Sequence, residues 1–280
     1  MDRPNQTPDA GEPLILVFLV VGAATVLGLV ALGIWAGLNA ARAFELREAE
    51  TFAAAAAVRD TAWSLFHAGN EVAAIDAARR AVALEPASAE SHLVLGAALQ
   101  SGGWLDDGEA SLEEAMRLDP DNAWVHYYLA GGYSRKYAWE EMEAHARRAV
   151  ELDSTIARGY ALLAMGLRYA FEYEEAEAAV REGLRRDPDD PYLYGVLGEV
   201  LKNTARPVEA IEAYSKAAEL QPQAPTAWLE IGVLEHIQGN YAAAVTALET
   251  AEALDPAYFA QRDFERGVLA ASREGHPYER

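Results

Sequence analysis

A tripeptide recurs along this chain at a spacing that leaves little choice of architecture. LEP, LDP, LDS, RDP, LQP and LDP end at Pro86, Pro120, Ser154, Pro188, Pro222 and Pro256, 34 residues apart each time. Self-similarity at a fixed period of this size is the signature of stacked structural repeats. In this register six windows open at Ala55, Ala89, Ala123, Ala157, Pro191 and Pro225, and the small residues fall into columns. Ala62, Gly96, Ala130, Ala164, Gly198 and Gly232 form one; Ala81, Ala115, Ala149, Gly183, Ala217 and Ala251 form another. A column of Gly or Ala on a helix marks where a neighbouring backbone passes closely, because a larger side chain would hold the helices apart. A third column, Thr61, Leu95, Leu129, Leu163, Leu197 and Ile231, sets mostly apolar bulk beside the first, as an antiparallel helix pair requires. Each proline follows the second helix, where a residue without an N–H and with φ fixed ends the helix. The unit is helix, turn, helix.

A 34-residue hairpin with Leu-Gly or Leu-Ala in its first helix, Ala early in the second and a terminal Asp-Pro resembles the tetratricopeptide repeat. The resemblance covers Ala55 to Tyr258 and is closest at Trp228, Ile231, Gly232, Tyr241, Ala244, Ala251 and Pro256, and at Leu197, Gly198, Ala210, Tyr214, Ala217 and Pro222. Thr61 stands where a Leu is usual, and Gly108 and Met142 interrupt a column otherwise held by Ala; these departures bear on local packing. The resemblance implies an all-α, right-handed superhelical solenoid of about six repeats (55-88, 89-122, 123-156, 157-190, 191-224, 225-258). Residues 259-280 are expected to supply a capping helix and tail, with Phe264, Val268 and Leu269 covering the last apolar edge in one helix up to about Gly275.

Ahead of the repeats, no charged residue occurs between Pro13 and Ala41, and Leu14 to Ala36 contains only Thr25 as a polar side chain. As a helix this run is roughly 35 Å long at about 1.5 Å per residue, enough for a hydrocarbon core of about 30 Å. A single transmembrane helix is therefore expected over 13-38, in contact with lipid through 14-36. A cleaved signal peptide is the competing reading, but the apolar run exceeds an h-region and only Arg3 charges the n-region. Residues 1-12 are rich in Pro, Asp, Gln and Thr and read as a disordered tail. Within the span, Ala24 to Gly28 and Gly33 to Gly37 have the small-xxx-small spacing that lets two membrane helices approach, so Gly28, Gly33 and Gly37 are candidates for packing against other transmembrane helices. Residues 39-54 lack Gly and Pro and are expected to carry the span as one juxtamembrane helix into the first repeat.

Lys and Arg number 23 against 44 Asp and Glu, a formal net charge of −21 that repels phosphate backbones and excludes nucleic acid as a general partner. Without cysteine there is no disulfide, thiolate metal site or cysteine nucleophile. No glycine-rich phosphate loop, G-x-S-x-G or H-E-x-x-H motif occurs, so neither enzyme activity, nor a cofactor, nor a metal is expected. The alanine-rich, lysine-poor composition suggests a bacterial chain anchored in the inner membrane. The side on which the repeats lie stays open: the habit of amino-terminal anchors favours the periplasm, while Arg42 and Arg47 lean the other way.

Proteins that this chain resembles bind peptides in a concave groove lined by first-helix side chains. Carried over, the resemblance points to Trp63, Trp124, Tyr127, Arg135, Arg158, Arg168, Tyr169, Tyr192, Lys202 and Asn203 as groove residues, with Arg59, Phe66, Met165, Glu199 and His236 beside them. Four of these, Arg135, Arg158, Arg168 and Lys202, would invert the sign of an otherwise acidic surface and suit an acidic or carboxylate-ending segment. The competing reading is that the arginines answer nearby glutamates and the aromatics pack between repeats. The column that chaperone-binding relatives fill with an Asn clamp holds Trp63, Ala97, Gly131, Met165, Glu199 and Val233, which disfavours that subtype. The expected role is a membrane-anchored scaffold that binds partner proteins, or an accessory subunit of a membrane complex held by its transmembrane helix.

Overall fold

The computed structural model describes the backbone of residues 12–278 and the side chains of residues 32–278. Fourteen helices, and no strand, occur among the described residues. Helix α1 (Glu12–His67) runs unbroken for 56 residues and pairs with α2 (Glu71–Leu84) through its last turns. Five hairpins follow in which the first helix has 13 residues and the second 14: α3 (Ala89–Ser101) with α4 (Leu105–Leu118), α5 (Ala123–Arg135) with α6 (Trp139–Leu152), α7 (Ala157–Tyr169) with α8 (Tyr173–Arg186), α9 (Pro191–Asn203) with α10 (Pro207–Leu220), and α11 (Pro225–Ile237) with α12 (Tyr241–Leu254). Each hairpin packs on its predecessor.

Local chemistry sets the boundaries. Side-chain oxygens of Asn70, Ser88, Asn122 and Asp190 accept from backbone N–H groups at the starts of α2, α3, α5 and α9. The small columns lie at the helix crossings. A Cβ on Gly96 would stand 2.5 Å from Leu112 Cγ and 2.9 Å from the Gly108 carbonyl, and one on Gly198 would meet the Tyr214 ring at 2.8 Å. Gly108 thus extends the close approach begun by Gly96, and Met142, in the same column, is fully buried.

The exception at Thr61 has a packing explanation. Leu95 packs with Ala62, Ile75 and Ala78 of the first hairpin, and Leu129 with Leu93 and Leu112 of the second, so this column is buried against the preceding hairpin. Thr61 has no predecessor; it is exposed and its hydroxyl turns back to the Ala57 carbonyl.

The carboxy-terminal cap differs in shape from the single helix anticipated. α13 (Pro256–Ala260), started by the Asp255 side chain, is followed by a turn at Gln261 and Arg262 and then by α14 (Asp263–Glu274). The turn brings α14 onto both α11 and α12. Val268 and Leu269 close the apolar edge with Leu229, Leu248 and Phe259. Phe264 lies outside that cluster, its ring 5.7 Å from Tyr278.

Among the described residues no helix is long and apolar enough to cross a membrane. Most of the stretch expected to do so, residues 14–36, lies outside the residues whose side chains are described, as does Gly28. Gly33 and Gly37 have no described atom within 4 Å of where a Cβ would stand. Every side chain from residue 32 to residue 54 is exposed, Trp35, Phe44 and Phe52 among them, and Ala55 is the first buried residue of α1 among those described.

Candidate protein-binding groove

The first helices α5 and α9, with the last turns of α1, present a run of aromatic side chains that Arg158 of α7 bridges. The Trp63 ring lies 5.5 Å from Phe66 and 6.0 Å from Tyr128. Tyr128 in turn lies 5.1 Å from Tyr127 and 6.4 Å from Trp124. The Arg158 guanidinium continues the run, 5.8 Å from the Tyr192 ring, and Tyr192 Oη donates to Met165 Sδ at 3.1 Å. A belt therefore links hairpins one, three, four and five, because the equivalent position to Trp63 in α3 is the small Ala97. Burial raises the pKa of the Tyr127 hydroxyl and takes that of Tyr192 up to about 12, so both are neutral donors at physiological pH. Trp124 and Tyr192 nonetheless keep 46 % and 41 % of their surfaces open, enough to meet a ligand.

The belt borders two clefts. One, of about 530 Å³, lies between Trp124, Tyr127, Arg158 and the Asp187 to Pro191 connection. The other, of about 420 Å³, lies between Met165, Tyr192, Glu199, Tyr214, Glu230 and Arg262. Tyr214 is almost fully buried, and its Oη is enclosed without a hydrogen-bond partner among the described residues.

The cations of the groove are already answered. Arg158 grips Asp190 with two bonds, Nε to Oδ2 at 2.5 Å and Nη2 to Oδ1 at 3.2 Å; Arg168 pairs with Glu199 at 3.1 Å and Lys202 with Glu230 at 2.7 Å. Arg135 donates to the Gln100 carbonyl. Each basic side chain reaches an acceptor about one repeat away, and the three carboxylates cancel three of the four charges that would have inverted the surface sign. Aromatic area, not net positive charge, is what this surface presents.

The remaining sequence-derived residues disperse. Tyr169 stacks on Trp139 at 3.6 Å, at the end of α7. Asn203 is exposed at the end of α9. His236 is buried under the cap, its Nδ1 2.7 Å from Ser272 Oγ and its Nε2 accepting from the Tyr278 amide. Tyr128 and Tyr214, absent from the sequence-derived set, are central. Tyr214 sits in the usual hairpin register and reads from sequence as core; nothing local separates Tyr128 from its neighbour Tyr127.

A stack of helical hairpins with a groove of this kind defines the class: a helical-repeat solenoid of the tetratricopeptide type. Family models described as tetratricopeptide repeat match residues 89–122, 156–225 and 204–259. Over those residues the chain has the tetratricopeptide-repeat pattern. Its fold is similar to that in a structure titled for functional characterisation of Pseudomonas aeruginosa pilF, with a TM-score of 0.64 and 19% identity over 77% of this chain and 98% of that one. It is similar also to TTC0263, a thermophilic TPR protein of Thermus thermophilus (TM-score 0.56, 18% identity, 65% of this chain and all, 100%, of the other). YrrB, described as a TPR protein with an unusual peptide-binding site, aligns with a TM-score of 0.51 and 19% identity over 67% of this chain and 97% of its own. No curated protein matches the chain.

Proposed function

We propose that this protein is a membrane-anchored scaffold that holds a partner protein by an extended or helical segment laid along the aromatic belt. The observation that carries the reading is the continuity of the belt from Trp63 through Tyr128 and Tyr127 to Tyr192, large rigid rings that gain contact area at small entropic cost. A peptide-binding site in a protein of similar fold, YrrB, is in keeping with it. With Arg158, Arg168 and Lys202 already paired, an acidic or carboxylate-ending segment would have to exchange with Asp190, Glu199 or Glu230. Apolar and aromatic partner residues therefore supply most of the affinity. The scaffold role is one of binding, without chemistry, cofactor or metal.

Anchoring rests on the uncharged run from Leu14 to Ala36, and with it a place in a bacterial inner membrane. A second reading, an accessory subunit held by its span against other transmembrane helices, draws support from the uncovered surface of α1 between residues 32 and 54.

A mild-detergent pull-down of the full chain, beside a version starting at Arg42, with mass spectrometry of the recovered proteins, separates the two. The scaffold reading expects the same partner with both forms and its loss from the double variant Tyr127→Ala, Tyr192→Ala. Recovery of membrane proteins by the full chain alone, unaffected by that variant, would favour the subunit.

A further inference from the structure

A second surface, adjoining the groove at Arg168, runs along the edge where first helices turn into second helices. The turn needs one residue with positive φ, and the positions recur every repeat: Gly69, Gly103 and Gly239 take it with φ of 71, 90 and 82°. In three hairpins an L-residue is forced into the same conformation, Tyr137 at 60°, Phe171 at 65° and Ala205 at 55°. Left-handed backbone is costly for a residue with a Cβ, most of all a bulky one. Burial usually compensates such strain, yet Tyr137 and Phe171 leave 75 % and 76 % of their surfaces in solvent. Two of the most exposed aromatic side chains among the described residues thus occupy two strained positions on consecutive turns.

They are not isolated. The Tyr137 ring meets Trp139 edge-on at 5.6 Å, and Trp139 stacks on Tyr169 of the next hairpin, whose ring also carries the Arg168 guanidinium 4.3 Å from its centre. The Phe171 ring meets Tyr173 at 6.2 Å. Around this aromatic strip the first turns of α6 and α8 carry Glu140, Glu141, Glu174 and Glu175, none of which forms an ion pair among the described residues, while the local cations Lys136 and Arg168 are held by Asp106, Glu109 and Glu199. The edge is aromatic and strongly negative.

We propose that the turn edge of hairpins three and four, centred on Tyr137, Trp139, Tyr169 and Phe171, is a docking surface for a cationic protein segment that carries apolar or aromatic side chains between its lysines or arginines. Charge complementarity selects this occupant. A second copy of the chain, at net −21, brings like charge to the edge, and anionic lipid is repelled in the same way. Lysine and arginine are suited to both parts of the surface, pairing with the glutamates and lying over the exposed Tyr137 and Phe171 rings.

Glycine at 137 and 171 removes the rings while relieving the backbone, so loss of binding cannot be ascribed to unfolding. The probe is a labelled, capped decapeptide of four lysines and two phenylalanines among glycines and serines, titrated by fluorescence anisotropy against the full chain in zwitterionic nanodiscs, with empty discs as blank. The double variant Tyr137→Gly, Phe171→Gly should melt no lower than the parent and bind the peptide about tenfold or more weakly, as the loss of two aromatic anchors implies. Replacing the phenylalanines by serine, or the lysines by glutamate, should weaken binding to the parent protein to a similar or greater extent. Tyr127→Ala with Tyr192→Ala should leave it unchanged. Equal binding by the glycine variant, equal binding of the serine peptide, or loss of binding in the groove variant would overturn the proposal. So would self-association of the parent abolished by the glycine pair, which makes the occupant a second copy, or binding of an Arg42-start version to lipid vesicles through the same residues, which makes it a bilayer.

Discussion

The rings of Trp63 and Tyr128 lie 6.0 Å apart, although the two residues belong to the first and third hairpins. The contact exists because the intervening first helix has Ala97 at the position equivalent to Trp63, itself almost fully buried. Ala97→Leu should therefore force bulk into a filled space and lower stability by about 1–3 kcal/mol. Thermal melting would register the loss. Trp63→Ala in the same background should recover part of it if the clash is with that ring, and a fully additive double variant would show that it is not.

Asp190 performs two tasks at once. Its Oδ1 accepts from the Tyr192 amide at 2.9 Å, starting α9, and both of its oxygens accept from Arg158. Asp190→Ala should cost about 2 kcal/mol, the sum of a lost cap and a lost charge-assisted pair. Asp190→Asn keeps the cap and should cost roughly half as much. Equal melting temperatures for the two variants would mean that the cap contributes nothing, and an Asp190→Asn variant that melts with the parent would mean the same of the ion pair.

A histidine pair makes the third hairpin sensitive to pH. His126 Nε2 lies 3.0 Å from the Pro120 carbonyl and must carry the proton there, which leaves His126 Nδ1 as acceptor of an N–H from His145 Nδ1 at 2.9 Å. Burial, and next the proximity of His126, lower the pKa of His145 below its ordinary 6.5. Tyr133, stacked at 5.5 Å, and the nearby Glu109 and Glu141 carboxylates complete its surroundings. Because the unfolded chain takes up this proton first, the contribution of His145 is complete above about pH 6.5 and is lost as pH falls from there through the folded value. Melting temperature should decline in this window, before paired carboxylates such as Glu109 and Glu177, held below their ordinary 4.5, begin to protonate. Measured from pH 7.5 to 5, His145→Asn should flatten the slope; an unchanged slope would place its origin elsewhere.

Ala205, with φ of 55°, has the strained turn conformation without the exposed aromatic ring. Ala205→Gly should relieve roughly 1–2 kcal/mol of left-handed strain and give back about 0.5–1 kcal/mol in unfolded-chain entropy. The net gain of about 0.5 kcal/mol corresponds to a rise of roughly 1–2 °C in melting temperature. Gly239→Ala, the reverse change in the sixth hairpin, should lower it by a similar amount.

Much of this architecture is a property of the sequence because its determinants are local and repeated. Small columns, terminal prolines and side-chain caps act within a single hairpin, and six copies in one register show where each helix begins and ends. Even Thr61 becomes intelligible from its place in the order, as the first hairpin has nothing before it to bury a leucine against. The site was legible only in kind. That aromatic residues line the first helices can be read from the columns; that Tyr128 reaches Trp63, and that Tyr169 turns to Trp139 instead, depends on the superhelical rotation between hairpins, which no single repeat encodes. The charge pattern failed for the same reason. Arg158, Arg168 and Lys202 find their acids 32, 31 and 28 residues onward, at Asp190, Glu199 and Glu230, distances that acquire meaning only when consecutive first helices lie side by side. The sequence determined the hairpin and its stacking, since these follow from short-range sterics; the tertiary structure decided which side chains share a surface and which charges remain unpaired, since both are set by the angle between one hairpin and the next.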